Sequence, residues 1–90
     1  MRLDKFIKVS RIIKRRTVAK EVCDSGKVLL NQRVAKAGSE VKPGDVLEIQ
    51  FGNKTLKVKI LEVKENAPAK EAASLYQVLE ETFHPQQPLF

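Results

Sequence analysis

Hydrophobic spacing changes character at Gly26, and that change limits the folds open to this chain. Before it, Leu3, Phe6, Ile7 and Ser10, then Val18, Ala19, Val22 and Cys23, recur every three or four positions. Such spacing lays a stripe along one side of an α-helix. After it, "VLEIQF" and "TLKVKILEV" alternate apolar with polar residues, the period of a strand with one solvated face. Helices first and strands afterwards, in a chain long enough for one domain, point to an α+β fold.

The elements follow from that reading. A first helix runs over residues 2–10. The turn "RIIKRR" tucks Ile12 and Ile13 inward and points Arg11, Lys14, Arg15 and Arg16 outward. Thr17 is the expected N-cap of a second helix, which sets Lys20, Glu21 and Asp24 opposite its apolar side. Gly26 stops it, since glycine takes the left-handed conformation without penalty. "KVLL" reads as a short strand and "NQR" as a turn into "VAK"; "KPGD" is a turn led by Pro43 and Gly44. The strand "VLEIQF" sets Val46, Leu47, Ile49 and Phe51 against Glu48 and Gln50, with Leu47 breaking the alternation. "GNK" turns the chain, and Leu56, Val58 and Ile60 then oppose Lys57, Lys59 and Leu61, giving an antiparallel hairpin. Residues 64–70, with Pro68, read as a linker. "EAASLYQVLEETF", residues 71–83, reads as a final helix with Ala72, Leu75, Tyr76, Leu79 and Phe83 on one face and Glu71, Gln77, Glu80 and Glu81 opposite. Residues 84–90 read as a loose tail. The architecture expected is an N-terminal helix-turn-helix packed on a small, mostly antiparallel sheet (an alpha-L motif), plus a C-terminal helix.

Charge says what such a fold is for. Residues 1–36 hold eleven Lys and Arg against Asp4, Glu21 and Asp24, while the remainder holds six Lys against eight acids. Five of the cations, Arg11, Lys14, Arg15, Arg16 and Lys20, fall within ten residues, interleaved with Ile12, Ile13, Val18 and Ala19. A disordered basic tail would carry no such apolar spacing. The pattern describes cations held at fixed positions on a folded surface that meets a polyanion.

Other chemistries find little support. Cys23 is the single cysteine and His84 the single histidine, on separate elements; Cys23 reads as a small core residue. That is too few ligands for a metal centre, and no Ser–His–Asp or Cys–His set assembles. The glycines are scattered among turns and form no phosphate loop, so neither an enzyme nor a cofactor is expected. No apolar run approaches the roughly 20 residues that span a bilayer, no secretory signal opens the chain, and one unpaired cysteine fits the reducing cytoplasm. A DNA reader wants base-reading side chains on its exposed second helix, but here Glu21 and Asp24 would repel phosphates. With few aromatics and no stacking platform, backbone and shape recognition of a structured RNA is what remains.

The ordered run "RLDKF", "SR", "KRRTVAKE", then Gly26, Val28, Leu29, Leu30 and Asn31, and "VKPGD" resembles the small RNA-binding domain named after the fourth protein of the small ribosomal subunit. The resemblance covers residues 1–63. Within that superfamily the chain is similar to the heat-shock protein fifteen group, most of all to its Gram-positive branch of ribosome-associated quality-control factors. The resemblance implies a non-catalytic factor on the free large ribosomal subunit, contacting large-subunit rRNA and peptidyl-tRNA. It implies cooperation with an RqcH-type partner of the fibronectin-binding/NEMF family in adding untemplated alanine tails, and action as a monomer away from membranes. It places the RNA-facing motif on Arg2, Lys5, Arg11, Lys14, Arg15, Arg16, Thr17 and Lys20, with Asp4 orienting a neighbouring arginine and Lys36 adding a phosphate contact; Lys8, a further cation of the first helix, is a candidate beside them. Two features depart from the pattern. The usual Asn-Gly hairpin turn is Asn31-Gln32, which puts the tight two-residue turn in question, and the C-terminal end is acidic where longer relatives are basic. A pseudouridine synthase carries such a domain at its N-terminus, but 90 residues leave no room for the catalytic domain. That alternative, and a DNA-binding regulator, are the competing readings.

Overall fold

The computed structural model describes residues 1–83; the expected tail at 84–90, and His84 with it, lie outside them. Two helices, α1 (Leu3–Val9) and α2 (Arg16–Asp24), precede four strands, β1 (Val28–Leu30), β2 (Arg33–Val34), β3 (Val46–Phe51) and β4 (Lys54–Ile60). A single helical turn, α3 (Ala69–Ala72), runs through a 3-10 turn (Ala73–Leu75) into a fifth strand, β5 (Tyr76–Phe83). The sheet is antiparallel throughout, in the order β2-β1-β3-β4-β5.

One core joins the helices to the sheet. Leu3, Phe6, Ile7, Ala19 and Cys23 pack with Val28, Leu47, Ile49, Leu56, Val58 and Ile60, all buried. The strand register explains the sheet's share: Val28, Ile49 and Leu56 form one cross-strand row, and Leu30, Leu47 and Val58 the next. Leu47 therefore keeps the inward alternation with Ile49, and it is Val46 that steps out of it, the reverse of the sequence reading. Ser10, buried in the helical stripe, donates its hydroxyl to the Ile7 carbonyl at 3.2 Å.

The turns are specified residue by residue. Past α2, the amide of Gly26 (φ 81°) donates to Cys23 and that of Lys27 to Val22, the paired bonds of a Schellman stop. Asn31 and Gln32 both take positive φ, 50° and 69°, so the two-residue turn forms without its glycine. Asn31 also accepts from the Val46 amide and donates to Asp45, fastening the hairpin tip to the start of β3. α1 ends in a similar way, on Arg11 at φ 62°, a conformation that glycine usually supplies and that costs other residues roughly 1 kcal/mol or more.

Three further sequence expectations are overturned. Thr17 does not cap α2: the helix begins two residues earlier than that cap implies, at Arg16, Arg15 stands at the cap, and no side chain bonds the first-turn amides. Val18, expected in the core, is 40% exposed. The C-terminal helix over 71–83 is only a turn and a half long, and from Tyr76 the chain is strand. Pairing with the otherwise open side of β4 outweighs the helical spacing. Ala72 and Leu75 are buried as expected, but Leu79 and Phe83 are exposed on β5.

Candidate nucleic-acid interface

Asp4 is the centre around which the basic face is ordered. It sits in the first turn of α1, where a carboxylate is favoured by the helix dipole, and its side chain is 3% exposed. Its Oδ1 accepts from the Lys5 amide at 2.8 Å and from Arg2 Nε at 3.2 Å; its Oδ2 accepts from Arg16 Nε at 3.5 Å. Burial pushes this carboxyl up, but the hydrogen bonds from Arg2 and Arg16, the Arg16 charge and the Lys5 amide outweigh burial and hold it below its ordinary value. Arg2, at the N-cap of α1, and Arg16, the first residue of α2, stay about half exposed. Each is tethered through Nε, which leaves its terminal nitrogens for an anion.

The helix pair is in turn placed by the chain that follows the β1–β2 hairpin. The Leu3 amide donates to Ser39, the Asp4 amide to Ala37 and the Val41 amide to the Met1 carbonyl. Asp24, at the end of α2, accepts from the Ala37 amide at 3.1 Å. The distance between Arg2 and Arg16 is thus fixed from both helices and from a third segment.

The remaining candidate residues divide by position. Lys5 is not free, since its ammonium pairs with Glu65 and holds that exposed carboxyl below its ordinary value. Lys8, Arg11 and Lys14 border a cleft completed by Val9, Asn66, Ala67 and Pro68. Arg15 is exposed at the α2 cap. Thr17 and Lys20 lie further along α2 beside Glu21, Asp24 and Ser25, a surface of mixed sign. Lys36 reaches the Asp24 carbonyl at 3.5 Å, at the opposite end of α2 from Arg16. Arg2, Asp4 and Arg16 therefore form one constellation, Lys8, Arg11 and Lys14 a second, and Lys36 belongs to neither.

Sequence reasoning missed Glu65 and the cleft wall at residues 66–68. These sit in a polar stretch with no local motif, and only the tertiary path brings them beside α1. It also missed an aromatic pair: Phe51, Lys54 and Phe83 share one row of β3–β4–β5, and the Lys54 ammonium lies 4.9 Å from one ring centre and 5.8 Å from the other. Alternation places Phe51, but nothing short of the β5 register places Phe83.

A family model described as "S4 domain" matches residues 1–47, the segment that carries both helices, the Asp4 constellation and the β1–β2 hairpin. The chain belongs to the S4 family. Among its relatives, the "RQC P-site tRNA stabilizing factor" of Halalkalibacterium halodurans is 58% identical over 81 residues, covering 90% of this chain and 92% of that protein. The protein of the same name from Bacillus subtilis is 54% identical, covering 90% and 94%. Both are named as stabilizing factors, not as enzymes. The S4-like architecture recurs in the trimeric structure of heat shock protein 15 from Vibrio cholerae, with a TM-score of 0.81 and 29% identity over 87% of this chain and 80% of that one.

Proposed function

We propose that this protein is a non-catalytic RNA-binding factor that stabilises P-site tRNA during bacterial ribosome-associated quality control. In this reading it binds large-subunit rRNA together with the peptidyl-tRNA left on a split, stalled large subunit, and supports untemplated alanine tailing by an RqcH-type (NEMF family) partner. It works in the cytoplasm as a monomer, and residues 1–63 are its RNA-binding unit. The observation that carries the reading is the Asp4 constellation. Two arginines at the starts of the two helices are held at one spacing by a buried carboxylate on the most basic face of the chain, in a domain whose relatives bearing that name match about nine-tenths of its length.

The mechanism is one of pre-organisation. Arg2 and Arg16 lose less side-chain freedom on meeting two backbone phosphates because Asp4 has already restricted them. Forked guanidinium contacts then fix the RNA by backbone shape, without reading base sequence. Lys8, Arg11, Lys14 and Arg15 add attraction and register. No catalytic group is required, since the task is to hold an RNA in place while other components act.

Sedimentation of the tagged protein through a sucrose gradient of lysate tests the reading. Co-migration with free large subunits bearing tRNA, lost on Arg16→Ala, is the expected result. Migration with small subunits or at the top of the gradient would defeat it. With purified RNA, neutralising roughly 4–6 phosphates should make log affinity fall with log salt at a slope of about −3 to −5.

A further inference from the structure

We infer that the cleft between the α1–α2 turn and the returning chain at residues 66–68 receives one unpaired nucleotide of the bound RNA. The inference rests on the function proposed above and adds to it what feature of the RNA is held. Lys8, Val9, Arg11 and Lys14 line the cleft from one side, Asn66, Ala67 and Pro68 from the other. Its volume is about 360 Å³, inside the roughly 300–1,000 Å³ usual for small-ligand sites.

The lining decides the ligand. Val9 is 7% exposed and closes the floor, while the half-buried Ala67, packed against the core, and the exposed Pro68 give an otherwise polar cleft one small apolar wall. The cations stand with them: Lys8, Arg11 and Lys14 are exposed and, among the described residues, none has a carboxylate within ion-pair distance, whereas Arg2, Lys5 and Arg16 all do. Arg11 holds φ 62° at this spot, and strained backbone of that kind concentrates where ligands are gripped. A continuous duplex would touch the cations with its phosphates and leave the apolar wall in water, because its base faces are stacked inside the helix. An unpaired nucleotide satisfies both parts. Its base lies against Ala67 and Pro68, its flanking phosphates meet Lys8, Arg11 and Lys14, and the Asn66 amide offers a donor and an acceptor to the base edge. The Lys5–Glu65 pair, one residue before Asn66, ties this wall to α1.

The test compares an RNA hairpin carrying a single bulged 2-aminopurine with the same hairpin lacking the bulge. Anisotropy reads binding, and 2-aminopurine fluorescence reads unstacking. The expected result is about tenfold tighter binding of the bulged RNA, the size of one added charged hydrogen bond, with a rise in 2-aminopurine emission. Ala67→Glu, which puts a carboxylate in the cleft, should abolish the preference and the emission rise while the plain hairpin still binds. Should Ala67→Glu fail to fold, Asn66→Ala, an exposed change, should cut the preference several-fold with an unchanged melt. Arg16→Ala should weaken both RNAs alike, and if it weakens neither, the proposed function itself is at fault. Equal wild-type affinity for the two hairpins would overturn the inference. So would an undiminished preference in the folded cleft variants.

Discussion

Replacing Asp4 with Asn separates an ordered phosphate grip from mere positive charge. The change keeps the side chain's shape and raises the net charge of the chain, +6 in the wild type, by one. If the basic face were only an electrostatic cushion, RNA would bind slightly tighter. The structure requires the opposite. Asp4 accepts from Arg2 at 3.2 Å and from Arg16 at 3.5 Å, and an asparagine oxygen carries no charge to hold them. Each arginine then loses its preset position, and fixing a long side chain on binding costs about 0.5–1.5 kcal/mol. Two arginines give a loss of about 1–3 kcal/mol, roughly 5- to 150-fold in affinity. Anisotropy titration of a structured RNA at physiological salt measures it, with circular dichroism melts to show that the variant stays folded at the assay temperature. The salt slope should be nearly unchanged, because the same phosphates are neutralised. Binding equal to or tighter than wild type would refute the argument that Asp4 pre-organises the site.

Further expectations follow from the same geometry. The folded-state pKa of Asp4 lies below its ordinary value of 3.8, so its stabilising contribution is complete above about pH 4 and drains as pH falls through the lowered value; the acid limb of a stability–pH curve should be shallower in Asp4→Asn. Leu75→Ala should destabilise by about 2–5 kcal/mol because Leu75 is fully buried, whereas Leu79→Ala, on an exposed strand position, should cost under about 1 kcal/mol; equal losses in denaturant melts would mean that residues 71–83 fold as a helix after all. Burial, with Asp4 and Asp24 adding to it, pushes the Cys23 thiol up to about 11, so iodoacetamide at pH 8 should label it only in denaturant. Gln32→Gly should stabilise by about 0.5–1 kcal/mol, because glycine accepts the positive φ of that turn without strain; a lowered Tm would count against the turn geometry.

How much could be read from the chain depends on where each residue finds its partner. Leu3, Phe6 and Ile7 reveal α1 because a helix closes on its own neighbours, and Leu56, Val58 and Ile60 reveal β4 by plain alternation. Residues 76–83 mislead because Glu, Gln and Leu favour helix and the apolar spacing fits one. What decides is the hydrogen-bonding side of β4, which no local window contains. A counter-signal exists in Tyr76, Val78, Thr82 and Phe83, all strand formers, with Leu79 as the extra residue where the β4–β5 register shifts beside Val58. Thr17 misleads as a cap because Arg16 is drawn into α2 by Asp4, a residue on another helix. Asp4 stands out as an acid within a basic motif, yet its bond to a residue twelve positions on is visible only in the fold. Residues 66–68 carry no signal at all.

The outermost strand gives the molecule an order of disassembly. Among the described residues β5 bonds only to β4, and almost every residue of Tyr76–Phe83 is exposed, so little apolar surface resists its peeling away. Local opening of this kind costs far less than global unfolding. Amide hydrogens bonded between β4 and β5 should therefore exchange first, while those of α1 and of β1 and β3 wait for the core to open. Partial unfolding from the C-terminal side then leaves Arg2, Asp4 and Arg16 in register. The grip can outlast the strand farthest from it in the sheet's order of assembly, and a damaged or proteolysed outer strand need not release a bound RNA.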